Sequence, residues 1–489
     1  MRTRTLSLCA AAVFLSGTAC NKDVTSINTN PNGPVSVPPP SLLSQVIQNA
    51  VAGFHGPAFN GGDIRAGGLW VQYYSEVQYR DEDKYIVRPG TDGGWYMYNG
   101  SLEDCQRMIL QGDATNTPNW SAVGRIMKSY IFTEMTDEMG DLPYSEAFKG
   151  DTNLTPAYDT QQQIYTGLFK DLTTADSEIQ LAGIGFASGD LMYGGDMSEW
   201  KKFANSLRLR LALHLSNVDA TTGKAMAAAA VAAGVFASNA DNAQLMYLAS
   251  SPNQNPVYTN VYVGGRDDYG MSKTLVDSML SLNDPRLPYY AQLDKPLPSD
   301  VGIVPHYEGL PNGLNDGAGT PIRFVSRIGA LWRETPSAPL SLMTYSEVLF
   351  LEAEAVERGW IAGNATTLYN AAITASMEWY GIDNATITTY LAQPRVVYTP
   401  GAAGLTQIAY QKWLSLFLQG EEAWTEVRRT GVPNLLPGIN AVLTKIPERL
   451  PYDNQEEVLN QVNVDAAVAR QKFASYSDLS KPLWFTGRQ

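Results

Sequence analysis

Cys20 follows Ser16, Gly17, Thr18 and Ala19, and a thiol directly behind small residues is the acceptor that bacterial lipoprotein processing acylates. Arg2 and Arg4 precede a mostly apolar stretch from Leu6 to Leu15, which is too short to span a bilayer. Residues 1–19 therefore read as a lipoprotein signal peptide, with lipidation at Cys20. Gly17 stands where such signals usually carry Leu. Several acyl chains, each methylene contributing about 0.8 kcal/mol on burial, would hold the chain to a membrane surface.

A second chemistry lies in ring faces. Sugars present apolar C–H faces that stack on Trp and Tyr, while their hydroxyls need Asn, Asp, Glu or Arg partners. Trp70, Tyr73, Tyr74 and Tyr79 sit near Arg80, Asp81 and Asp83, and Trp95, Tyr96 and Tyr98 precede Asn99. Tyr262 and Tyr269 flank Arg266, Asp267 and Asp268, and Trp332 adjoins Arg333. Trp70, Tyr73, Tyr74, Trp95, Tyr262, Tyr269 and Trp332 are the expected ligand-binding residues, although Trp95 and Tyr98 also precede a helix expected over 101–110.

Catalysis has no comparable signal. The chain lacks His-Glu-x-x-His, Gly-x-Ser-x-Gly and a phosphate loop ending in Gly-Lys-Ser/Thr. Its three histidines, His55, His214 and His306, exclude an imidazole-rich metal site. Asp81-Glu82-Asp83 and Asn315-Asp316-Gly317 carry oxygen ligands of the kind calcium takes, but short acidic turns are commonly just solvated. No catalytic residue, metal or cofactor is expected. The net charge of −14, from 35 basic and 49 acidic residues, is the wrong sign for phosphate backbones, so no nucleic-acid partner is expected.

Helices must position these loops. Apolar residues recur at 3-and-4 spacing at Trp120, Val123, Met127 and Tyr130, at Ile164, Leu168, Leu172, Ala175 and Ile179, and at Trp200, Phe203, Leu207, Leu211 and Leu215. A fourth stripe runs from Tyr345 to Trp360 and a fifth from Tyr410 through Trp413, Phe417 and Trp424 to Val427. Ala225 to Ala237 should be helical by propensity. Residues 344–360 and 364–381, joined through Gly363-Asn364, read as a helical hairpin of the tetratricopeptide kind. No strict 34-residue period runs along the chain. Residues 55–95, 251–270 and 296–340 read as long loops, the first holding three Gly-Gly pairs and seven aromatics between Phe59 and Trp95. Residues 20–40, with Asn-Pro-Asn-Gly-Pro at 30–34 and three prolines at 38–40, read as a lipidated Cys and flexible tether. Residues 41–489 then form a single helical body.

Several motifs in this order resemble the SusD/RagB-type outer-membrane lipoproteins. They are Thr-Asn-Pro-Asn-Gly-Pro at 29–34, Gly-Asp-Leu-Pro-Tyr-Ser-Glu-Ala at 140–147 and Pro-Ala-Tyr-Asp-Thr-Gln at 156–161. Asp190 to Asp196, Trp200 to Arg210, Asp284-Pro-Arg286, Met343 to Glu347, Gln411-Lys-Trp413 and Arg428-Arg-Thr-Gly431 follow. Lys22-Asp23 resembles a surface-export signal of Bacteroidota lipoproteins. The resemblance implies an all-α fold of tetratricopeptide-like helical pairs with long irregular loop excursions. It also implies a non-enzymatic receptor, lipid-anchored in the outer membrane and facing the cell exterior. Such a receptor binds oligosaccharide and delivers it to a SusC-like TonB-dependent transporter. A peptide ligand within the same uptake system, a surface glycoside hydrolase and a structural helical-repeat adaptor are the alternatives. The shared motifs read as turns, caps and helix contacts, so they carry no ligand residue over.

Overall fold

The computed structural model describes residues 37–55, 66–87, 94–317 and 321–489. The signal peptide, Cys20 and the tether as far as residue 36 lie outside the described residues. The chain divides into two units, Met1–Pro38 and Pro39–Gln489.

The larger unit is mostly helical. Its first helix, α1 (Pro39–Phe54), starts two residues inside the expected tether, because proline's fixed φ suits the first helical turn. Then come α2 (Glu103–Thr115), α3 (Pro118–Met139), α4 (Gln161–Glu178), α5 (Met197–His214) and α6 (Ala220–Ala233). The second half holds α7 (Lys273–Ser281), α8 (Tyr345–Glu357), α9 (Ala365–Trp379) and α10 (Asn384–Leu391). It closes with α11 (Ala402–Ser415), α12 (Gly420–Thr430) and α13 (Gln461–Arg470).

Neighbours in sequence pack as neighbours in space: α2 on α3, α3 on α4, α5 on α6 and α8 on α9, while α8 also meets α5 and α11. Helix α3 is buried on nearly every side, which makes it the axis of the first half. Caps set the boundaries. Thr160 and Gln163 form a reciprocal capping box on α4, and Asp196, Asp219, Thr344, Asn364 and Asp383 each accept a first-turn N–H. The family-like motifs are therefore scaffold. Asp190, for example, accepts from the Met192, Tyr193 and Gly195 amides and from Trp200 Nε1 at 2.7–3.1 Å.

Three expectations shift. The Ala-rich helix stops at Ala233 because Gly234, at φ 101°, takes a conformation closed to other residues. The helix expected at 101–110 runs over Glu103–Thr115 behind a wide turn at 98–102. The fifth stripe belongs to two helices, α11 and α12, broken at Leu416–Gln419 where Leu418 has φ 70°.

Short strands lie in, or at the ends of, the stretches expected as loops, and one lies just before the second of them. β1 (Tyr74–Glu76) pairs antiparallel with β3 (Tyr269–Met271), in the register Tyr74 to Met271 and Glu76 to Tyr269. β2 (Ala243–Leu245) pairs with β4 (Leu340–Met343) across a bulge. Three or four residues are too few to show alternation in a sequence.

Candidate functional site

The β1–β3 ladder draws residues 74–80 against residues 258–271. Beyond its end the Val77 amide donates to the Asp268 carbonyl at 2.7 Å. The Asp268 carboxylate then accepts from Gln78 Nε2 and from Arg266 Nε. Tyr79 holds a left-handed backbone at φ 57°, and its ring is 56% exposed. The Arg266 guanidinium lies 5.7 Å from that ring's centre. Arg266 also donates its backbone N–H to Asn260 at 3.0 Å, tying it to the helical turn over residues 256–263. On that turn the rings of Tyr258 and Tyr262 stack at 5.1 Å and 14°, with Tyr262 56% exposed. Tyr269 is half-buried on β3.

Charges behind this surface hold it in place. Asp267 accepts from Arg333 at 2.6 Å and from Arg327 at 3.1 Å. Burial pushes its carboxyl up, yet the two guanidiniums together hold it below the ordinary value. Arg80 donates to the Asn315 carbonyl at 2.7 Å and to the Val77 carbonyl at 3.0 Å, and its amide to Asp316 at 3.3 Å. Asp83 accepts from Ser75 at 2.7 Å, Asn312 at 2.6 Å and the Glu76 amide at 3.1 Å, while burial raises its pKa. The 315–316 turn is thus held by Arg80 and Asp83 by hydroxyl and amide groups, arrangements that brace the loops.

Four of the expected ligand residues are interior. Trp70 is fully buried, 4.9 Å from Trp424, with its Nε1 donating to the Glu82 carbonyl at 3.1 Å. Tyr73 and Tyr74 are fully buried against Trp413 and Phe417, and the Tyr73 hydroxyl donates to the Trp413 carbonyl. Trp332 lies parallel to Trp379 at 6.3 Å and donates to the Pro339 carbonyl at 3.2 Å. Trp70, Tyr73 and Tyr74 are covered because residues 67–74 pack onto α11, α12 and Phe417 between them, so these three rings offer a ligand nothing. Trp95 is half-buried in a different cluster with Tyr98, Tyr158 and Tyr452, at 5.1, 6.2 and 6.4 Å. Of the seven, Tyr262 and Tyr269 lie at the exposed loop surface. Cys20 is outside the described residues. Tyr258, four residues before Tyr262 and so at helical spacing, shares that surface through the ring stack.

Among the described residues one group has metal-ligand geometry: His214, Glu422 and Glu426, all buried. Lys412 lies 3.1 Å from Glu422 and 3.4 Å from Glu426, and Arg429 lies 2.7 Å from Glu426. Protein cations already occupy the places an ion would balance.

With this geometry in hand, the family model described as "Starch-binding associating with outer membrane" matches residues 31–476. A comparison with curated proteins finds no significant match. Among solved structures, one named a chitin-binding protein is 29% identical, covers 92% of this chain and 100% of its own, and has a TM-score of 0.77. A chitin-binding SusD homologue from Flavobacterium johnsoniae is 26% identical, with coverages of 92% and 98% and a TM-score of 0.80. A SusD homologue from Bacteroides fragilis is 28% identical, with coverages of 93% and 100% and a TM-score of 0.77.

Proposed function

The chain belongs to the SusD-like family, and from that premise we propose that it is a cell-surface receptor that binds oligosaccharide without cleaving it. Its lipid anchor is Cys20, and it hands cargo to a SusC-like TonB-dependent transporter. The observation that carries this reading is the exposed pair Tyr79 and Tyr262, linked through Arg266 and held by the β1–β3 ladder. Pyranose C–H faces would lie on the two tyrosine rings. Arg266 stands beside them as a group that hydroxyls can meet, and Asp268 fixes its guanidinium in advance of binding, which lowers the ordering cost.

Calorimetry against a polysaccharide panel that includes chitin fragments, with reducing ends measured in parallel, tests the reading. Binding without release of reducing ends is expected. Tyr79→Ala and Tyr262→Ala should each weaken it roughly tenfold, the loss of about 1.4 kcal/mol of ring contact. Release of sugar that one carboxylate substitution abolishes would replace the receptor with a glycoside hydrolase.

A further inference from the structure

A small cavity lies against Trp332. Its volume is about 50 Å³, and Asn242, Trp332, Trp379, Tyr380, Phe417 and Gln419 line it. No charged side chain contributes to the lining. Asn242 and Gln419 are each 3% exposed. Asn242 accepts the Tyr345 N–H through Oδ1 at 2.7 Å, which fixes the amide and leaves Nδ2 as a donor. Among the described residues neither Asn242 Nδ2 nor Gln419 Oε1 has a hydrogen-bond partner. Two such groups buried without partners have given up their hydrogen bonds to water with nothing in exchange.

The neighbouring polar groups do not relieve them. Ser346 donates to the Ala372 carbonyl at 2.8 Å, and Asn239 donates to the Ala375 carbonyl at 2.9 Å. The aromatic walls offer no partner either. Trp332 spends its N–H on Pro339, and the Trp332–Trp379 stack closes one side. Trp379 and Tyr380 are half-buried at the mouth, their rings 4.7 Å apart and near-perpendicular. At roughly 10–15 Å³ per water-sized occupant, the space takes three or four non-hydrogen atoms.

We propose that this cavity receives the acetamido group of an N-acetylated sugar. The group has four non-hydrogen atoms: a carbonyl oxygen to accept from Asn242 Nδ2, an N–H to donate to Gln419 Oε1, and a methyl for the aromatic wall. Its neutrality matches the uncharged lining. Trp379 and Tyr380 would meet the ring that carries it. This names a sugar class and rests on the glycan-binding reading above, but it uses different residues.

The test is calorimetry on the full-length protein with tetra-N-acetylchitotetraose and cellotetraose, which share linkage and ring and differ at C2. Wild-type protein should favour the acetylated sugar at least tenfold. Gln419→Met and Asn242→Asp, the latter keeping the acceptor for Tyr345, should each cut that preference below threefold at an unchanged melting midpoint. Tyr262→Ala should weaken both sugars alike. Equal wild-type affinities, or a preference that survives both cavity substitutions, would overturn the acetamido site while leaving the tyrosine surface standing. Crystals soaked in N-acetylglucosamine give a readout independent of that surface. The acetyl group in the cavity supports the site even if Tyr262→Ala is silent, whereas ordered water alone, or capture of N-acetylalanine amide in its place, overturns it.

Discussion

Arg210, His214, Lys412 and Arg429 are buried together among Glu134, Asp137, Glu347, Glu354, Glu422 and Glu426. Arg210 binds both oxygens of Glu347 at 2.7 Å, and Arg429 lies 2.6 Å from Glu354. Such a network stabilises only while every charge keeps its partner. Burial alone would lower the His214 pKa, but Glu422 and the hydrogen bond to Asp137 overrule it and raise the pKa to about 9. A histidine raised from 6.5 contributes stability in full below pH 6.5, and loses it as the pH climbs through 9. The shift corresponds to about 3 kcal/mol. Urea unfolding of wild type and His214→Gln should therefore show a gap about 3 kcal/mol wider at pH 6 than at pH 9.5, and an equal gap at both would show that folding leaves the ring's titration unchanged. Residue identity announced little of this. The apolar stripes located the helices, but Glu354 and Arg429 face each other across 75 positions of sequence. Trp70 likewise matched the composition of a sugar site, and only its long-range partner Trp424 shows it to be core.

Elements were more legible than residues. The Thr160–Gln163 box and the hairpin of α8 and α9 follow from local signals: a cap, a period and a glycine at the corner. What local signals cannot supply is the element to which a loop returns. The short helix Gly67–Trp70 packs on α12 so closely that a Cβ on Gly67 would lie 2.5 Å from the Glu421 nitrogen. The Gly67 amide donates to Glu421 Oε1 at 3.1 Å. Gly67→Ala must therefore push backbone from backbone, an overpacking cost of roughly 1–3 kcal/mol. Because β1 begins four residues after this helix, the damage should pass to the ladder and to Tyr79. The expected result is a melting point several degrees lower together with weaker oligosaccharide binding. Gly100→Ala, whose added methyl would meet only Asn49 Nδ2 at 4.0 Å, is the control and should leave both unchanged. Equal behaviour of the two variants would mean that the Gly67 contact is not tight in solution.

At the scale of the whole molecule, the chain needs an attachment and a binding surface that work independently. The surface elements all lie between Pro39 and Gln489, and among the described residues no helix is long and apolar enough to cross a membrane. The attachment proposed above is the acylated Cys20 behind four small residues. Two or more acyl chains hold a protein to a bilayer far more firmly than one, so losing the acceptor should be an all-or-none change. Cys20→Ser should move the protein from the membrane pellet to the soluble fraction and abolish its labelling by palmitate. Its affinity for oligosaccharide should stay within twofold of wild type, since neither Tyr79 nor Tyr262 depends on the lipid. Protease added to intact cells should degrade the wild-type protein if it faces outward. A Cys20→Ser protein that still sediments with membranes would assign the attachment to the body itself, and the acidic net charge of −14 would then exclude a simple electrostatic hold on anionic lipid.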